Sequence, residues 1–269
     1  MATRIFFFVF FFLSPYTICM ENMNRCYYDQ LVEQIRSQKL DSNVLFGPIN
    51  SLTQKDFLEV ENVKFFITLG LDTSQLSQVW NNGPLNSDNS VVINFDPNFD
   101  YNGVDTETRF FDENAENLRK IVAHVMRADD DSSTQQYLRS LVNSDVTSLG
   151  TVYNGSWEVQ IRNLLDIAII FKLASGYGKL LIVSKNGNDN VLVSLLVALQ
   201  IIQNPHLSVL EAFKFIKVQR PSVQELAPEF VSLCSSLGGT PLSGSTPDKQ
   251  GRKFEQMDYL TSKRSRVSD

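Results

Sequence analysis

The chain has 269 residues, 43 per cent of them apolar, 30 acidic against 24 basic, for a net charge of −6. That length and apolar share are enough for one sizeable core, and the acidic balance argues against a nucleic-acid or anionic-membrane surface as the main partner. Three cysteines (Cys19, Cys26 and Cys234) and two separated histidines (His124 and His206) give neither a disulfide framework nor a metal-ligand spacing, so no metal and no cofactor is expected.

Residues 1–19 begin with Arg4 and an almost purely apolar run from Ile5 to Leu13. Two accounts fit it: a secretory leader, too short to span a bilayer comfortably, or an extension ahead of a true start at Met20 or Met23. The second fits the low, unpaired cysteine count, as in a chain kept in the reducing cytoplasm. The first would give the secretory pathway, membrane contact through this run, and meaning to the sequon at Asn154.

Within residues 20–42, the pattern from Glu21 to about Gln38 is helical, with Tyr28, Leu31, Val32 and Ile35 on one face. Residues 43–50 read as a strand and turn, Thr53 to Leu58 as a short helix, and Val63 to Gly70 as a buried strand. A turn-rich loop is expected from Asn81 to Ser90. Val91 onward reads as a strand that runs into an acidic loop holding Asp96 and Asp100.

The region of about 101–155 reads as a helical insertion. Asp112 is positioned to cap a helix with Leu118, Ile121, Val122 and Val125 on one face, Asp129 to Ser133 breaks it, and Gln135 to Val142 suits another helix. Trp157 to Ala174 is an amphipathic helix, with Ile161, Leu164, Leu165, Ala168 and Phe171 facing the core.

Leu180 to Val183 is a continuous branched apolar run, short enough for a strand buried on both faces. A polar turn follows (Ser184, Lys185, Asn186, Gly187, Asn188, Asp189 and Asn190), then a helix from Val191 to Ile202 that is apolar nearly all round. Unpaired N–H groups at a helix start and its dipole favour an anion there, so strand, turn and helix have the geometry of a phosphate cradle. Leu207 to Pro221 reads as a short helix closed by Arg220 and Pro221, and a last helix runs from about Ser222 to Leu237, with Cys234 a core thiol. Residues 238–269 form a polar, glycine-rich tail ending in the short basic run Lys263 to Arg266.

The strand, turn and helix at 180–203, the Leu207 to Pro221 stretch, and the opening order of strand, short helix and strand together resemble the dual-specificity branch of the cysteine-dependent protein phosphatases. The resemblance implies one α/β domain over 43–237, a central mixed sheet flanked by helices. It also aligns the family's signature strand and loop, Val-His-Cys followed by a glycine, an arginine and a Ser or Thr, with this chain. Val183 falls on the His, Ser184 on the nucleophilic Cys, Gly187 on the glycine, Asn190 on the Arg and Val191 on the Ser or Thr. Asp96 falls on the general acid, with Asp100 second.

Only the glycine is kept, and the chemistry of the losses sets the expectation. A serine hydroxyl has no counterpart of the thiolate that a helix N-terminus stabilises, and no base lies beside it. Asn190 cannot supply the two-pronged cationic grip of an arginine on a phosphoryl group. Without a covalent intermediate Asp96 has no leaving group to protonate, and it reads better as a strand-end aspartate. The expectation is a pseudophosphatase, a catalytically inactive regulator that binds proteins, phosphoproteins or kinases among them. Two rivals are an active phosphate-ester hydrolase or transferase using Asp189 or Ser184, and a secreted or membrane-associated structural protein.

Overall fold

A computed structural model of the chain describes residues 32–82, 90–100, 108–128 and 151–238. Its centre is a six-stranded sheet. In chain order the strands are β1 (Gln38–Lys39), β2 (Val44–Pro48), β3 (Val63–Leu69), β4 (Val91–Phe95), β5 (Val152–Tyr153) and β6 (Lys179–Ser184), and in space the order is β1-β2-β6-β3-β4-β5. Among the described residues only β1 pairs antiparallel, with β2, and the other pairs are parallel, so the sheet is mixed.

The four central strands are runs of apolar residues because helices cover both faces, leaving no solvated side to alternate toward. Phe46, Ile182, Ile67 and Ile93 stand in register across the sheet and point to one face. Leu45, Leu181, Phe66 and Val92 point to the other.

Among the described residues, helices cover both faces of the sheet. A short 3-10 helix (Ile49–Thr53), α1 (Lys55–Val60) and α2 (Thr73–Asn82) bury Leu52, Leu58, Leu76 and Trp80 on one face. On the other lie α3 (Thr108–Ala128), α4 (Trp157–Leu173), α5 (Asn190–Gln203), α6 (Val209–Gln219) and α7 (Pro228–Gly238). Helix α5 is buried over ten consecutive residues, Leu192 to Ile201, which is why its sequence is apolar all round. Ser208 opens α6 with a reciprocal capping box to Glu211.

Several expectations are corrected. The N-terminal helix does not reach Gln38: among the described residues only 32 and 33 are helical, the chain turns, and Gln38 joins β1. Main-chain pairing to β2 and side-chain donors from the body outweigh the helical spacing of Val32 and Ile35, and Ile35 is exposed. The sheet therefore begins before residue 43. Helix α2 was not expected, and it takes the first two residues of the loop assigned to Asn81–Ser90.

The segment of about 101–155 is not an appendage to the fold, because α3 places Leu118, Ile121 and Val125 in the main core and β5 extends the sheet. Helix α3 starts at Thr108, so Asp112 lies inside it and is not its cap. The expected helix at Gln135–Val142 lies outside the described residues, as do residues 1–31 and the tail beyond 238. The last helix starts at Pro228, where a proline suits the first helical position, and not near Ser222.

Asn114 explains how α3 is joined to the sheet. Strand β5 reaches only Asn94 and Phe95 of β4, which leaves the outer main-chain groups of Val92 without a strand. The fully buried Asn114 takes their place: its Oδ1 accepts from Val92 N at 2.8 Å and its Nδ2 donates to Val92 O. Three residues on, Asn117 donates to Ser90 O at 3.1 Å.

Candidate functional site

Strand β6 is inserted between β2 and β3, and the helices that follow those two strands lie on the opposite face from α5. In open α/β sheets such a reversal leaves a crevice at the carboxyl ends of the strands, where ligands bind. The loop 184–190 sits there, between the end of β2 (Pro48 beside Ser184) and the end of β3 (Leu69 beside Ser184).

The loop is built around Gly187, whose φ of +70° suits glycine. A side chain there would meet the main chain of Gly47 and Pro48 at 2.5 Å. Val183 is wholly buried in the sheet and Ser184 is 1% exposed, its Oγ accepting a hydrogen bond from Gly187 N at 3.1 Å. Lys185 and Asn186 face solvent. Asn188 O accepts from Gln224 N at 2.9 Å, and Asn188 Nδ2 donates to Ser222 O at 3.3 Å, so the chain after α6 backs the loop.

Asp189 caps α5 with its own carboxylate, Oδ1 accepting from Leu192 N at 3.0 Å. The negative charge that a helix N-terminus favours is thus already supplied from within the chain. Asn190 is the first residue of α5; its Oδ1 is buried and unpaired.

Asp96 follows β4 and is separated from β6 by β3. Its Oδ2 accepts from Thr73 N at 2.9 Å and Thr73 Oγ1 at 2.8 Å, and its Oδ1 from Asn98 N at 3.1 Å. It caps the start of α2 and turns the chain after β4. Asp100, four residues further on, is exposed. Behind Asp96, Asn94 donates to Leu71 O at 3.0 Å and to Thr73 Oγ1 at 2.9 Å, while Thr68 Oγ1 donates to Asn94 Oδ1 at 2.7 Å. This buried polar group of Thr68, Thr73, Asn94 and Asp96 went unnoticed in the sequence. Its signal was Asn94, an amide inside an otherwise apolar strand.

In the sequence Arg220 stands only as the close of α6. The structure places it against the loop, 1% exposed, with Nη2 donating to Asn186 O at 2.9 Å and to Glu33 O at 2.7 Å. Its Nη1 donates to Gln38 Oε1 at 2.8 Å and to Arg36 O at 3.2 Å. Burial lowers the pKa of the guanidinium, and the nearby Glu33 partly offsets this.

The remaining candidates lie away from the loop. His124 packs edge-on against Tyr177, 4.7 Å between centroids, and His206 sits in the exposed turn between α5 and α6. Cys234 is buried under α5, its thiol donating to Ser194 O at 3.5 Å and pushed up to about 11 by burial. Asn154 uses its side-chain amide to donate to Phe99 O at 3.0 Å. Among the described residues no group of three or more His, Cys, Asp or Glu is placed to hold a metal ion, and no helix is long and apolar enough to cross a membrane.

The class these features define is an α/β domain with a strand, loop and helix crevice at the carboxyl end of a mixed sheet. Residues 35–187 match the YAL037W N-terminal domain, and the chain belongs to that family. It is 28% identical over 200 residues to the protein YAL037W of Saccharomyces cerevisiae (strain ATCC 204508 / S288c), covering 69% of this chain and 72% of that one.

Similar solved structures are phosphatase-like. One is a leucine rich repeat and phosphatase domain protein from Entamoeba histolytica, with TM-score 0.40, 10% identity, and coverage of 76% of this chain and 92% of that one. Another is the human tyrosine phosphatase-like serine/threonine/tyrosine-interacting protein, with TM-score 0.39, 10% identity, and coverage of 76% and 95%. Residue roles do not transfer across such distances.

Proposed function

We propose that this chain is a phosphatase-like protein that does not hydrolyse phosphate esters and acts by binding other proteins. The observation that carries the reading is the state of the loop: Asp189 fills the helix N-terminus with its own carboxylate, and the hydroxyl of Ser184 is buried and holds Gly187 N. A phosphate dianion entering there would meet that carboxylate at close range, and no arginine fork stands at Asn190 to receive it.

The chemistry points the same way. Neither histidine stands beside Ser184 to take its proton, since His124 packs on Tyr177 and His206 sits in the turn between α5 and α6. Asp96 spends both oxygens on Thr73 and Asn98. One positioned electrostatic group is worth about 3 kcal/mol of barrier, so the absence of both thiolate and arginine removes most of the expected rate.

A protein partner is favoured by the outer face of α6, where Leu210, Phe215 and Val218 are all exposed on one helix. Phosphoproteins and kinases are within the range of partners, and a cytoplasmic or nuclear setting fits this role.

Purified protein assayed on phosphotyrosine peptides, phosphoserine peptides and small phosphate esters is expected to show no turnover above buffer. Turnover that disappears in Asp189→Ala or Ser184→Ala would instead establish a hydrolase with new catalytic groups.

A further inference from the structure

Four consecutive carbonyls ahead of β1 are each held by a side chain of the body. Glu33 O and Arg36 O accept from Arg220 at 2.7 and 3.2 Å, Gln34 O from Asn50 Nδ2 at 3.1 Å, and Ile35 O from Gln54 Nε2 at 2.6 Å. Arg220 also takes Gln38 Oε1, and Ser37 Oγ donates to Ser51 Oγ at 2.7 Å. The grip is on the main chain, so the side chains of Gln34, Ile35 and Arg36 are left facing solvent.

Two routes connect this segment to the loop after β6. Through Arg220, the guanidinium that holds Glu33 O and Arg36 O also holds Asn186 O. Through β2, a side chain at Gly47 would lie 2.8 Å from Ser37 Oγ, and one at Gly187 would lie 2.5 Å from the carbonyl carbon of Gly47. Strap, strand end and loop are therefore stacked without a gap, and a close-packed stack transmits displacement. One guanidinium bonding two chain segments also couples them, since moving either leaves buried donors unpaired.

The geometry points to residues 33–37 as a strap that holds the 184–190 loop in shape, so that detaching the strap loosens the loop while β2, β6, β3 and β4 stay paired. This goes beyond the proposed function and does not depend on whether the loop meets phosphate. The loop amides that report on it are Gly187 N, bonded to Ser184 Oγ, and Leu192 N, bonded to Asp189 Oδ1. What acts on the strap from its exposed side is then felt at the crevice.

Hydrogen exchange on the full chain tests this with two variants. Asn50→Ala with Gln54→Ala frees the carbonyls of Gln34 and Ile35 without removing a bond to the loop, and Arg220→Met frees those of Glu33, Arg36 and Asn186 together. In each, peptides covering 33–37 and 184–193 are expected to exchange about tenfold faster, with β3 and β4 peptides unchanged, as in a local opening of one cooperative unit. The double variant touches no loop residue, so it remains informative if Arg220→Met fails to fold. Faster exchange in the strap with the loop at its wild-type rate would overturn the proposal, and so would the absence of any response in the double variant.

Discussion

Gly187→Ala is expected to lower stability by about 3 kcal/mol, from two separate costs. The φ of +70° places a β-carbon against its own backbone, at about 1–2 kcal/mol. That carbon would also lie 2.5 Å from the main chain of Gly47 and Pro48, and relieving such overpacking adds about 1–3 kcal/mol. Because the obstacle is the end of a central strand, no side-chain rotation can relieve it. The melting temperature should fall by about 6–12 °C for a domain of this size. Gly176→Ala is the control: nothing lies within 4 Å of the added carbon, and it should be close to neutral. A Gly187→Ala protein that melts with the wild type would mean the loop does not pack on β2 as described.

Asn114→Ala is the second large effect. Both main-chain groups of Val92 face this one side chain, and both are buried. Truncation leaves an unpaired N–H and an unpaired C=O, each costing about 1–3 kcal/mol, so about 3 kcal/mol in all. Asn114→Asp should be no better, since a carboxylate can accept from Val92 N but cannot donate to Val92 O. Asn117→Ala, which loses one bond at a half-buried site, should cost about 1 kcal/mol. Chemical denaturation of the three variants measures this, and equal small losses at 114 and 117 would show that α3 is not joined to the sheet edge in this way.

These two positions also show what could be read from the chain and what could not. The β6 strand, its polar turn and α5 were legible because apolar runs of different length and branching separate a buried strand from a buried helix. Gly187 stood out as the residue the turn needed. The mixed sheet and its flanking helices were what the resemblance to dual-specificity phosphatases implied, and the structure has them.

The role of α3 was not legible. An asparagine in a helix carries no sign that it will serve as the missing partner of a strand 22 residues earlier. Arg220 was visible as part of an Arg-Pro pair, but three of its four acceptors are main-chain carbonyls, which have no sequence signature and lie 34 and 184 residues away for Asn186 and Arg36. The N-terminal segment misled for the same reason. Its helical spacing was real, but body donors claimed its carbonyls. At the crevice, the sequence identified the loop and its unusual residues, while the internal use of Asp189, Ser184 and Asp96 as caps and turn acceptors depends on distances that only the folded chain supplies.

The central claim, that the loop is closed to phosphate, is tested most directly by thermal unfolding with and without tungstate, a phosphate mimic. The wild type is compared with a version carrying Ser184→Cys and Asn190→Arg. A ligand that binds only the folded state raises the melting temperature by mass action. We expect the wild type to shift by less than about 1 °C and the substituted version, with its arginine fork, to shift upward by several degrees at about 100 times its dissociation constant. A clear shift of the wild type would contradict the claim and make the loop a phosphate reader; no shift in either would contradict the phosphatase-like cradle itself.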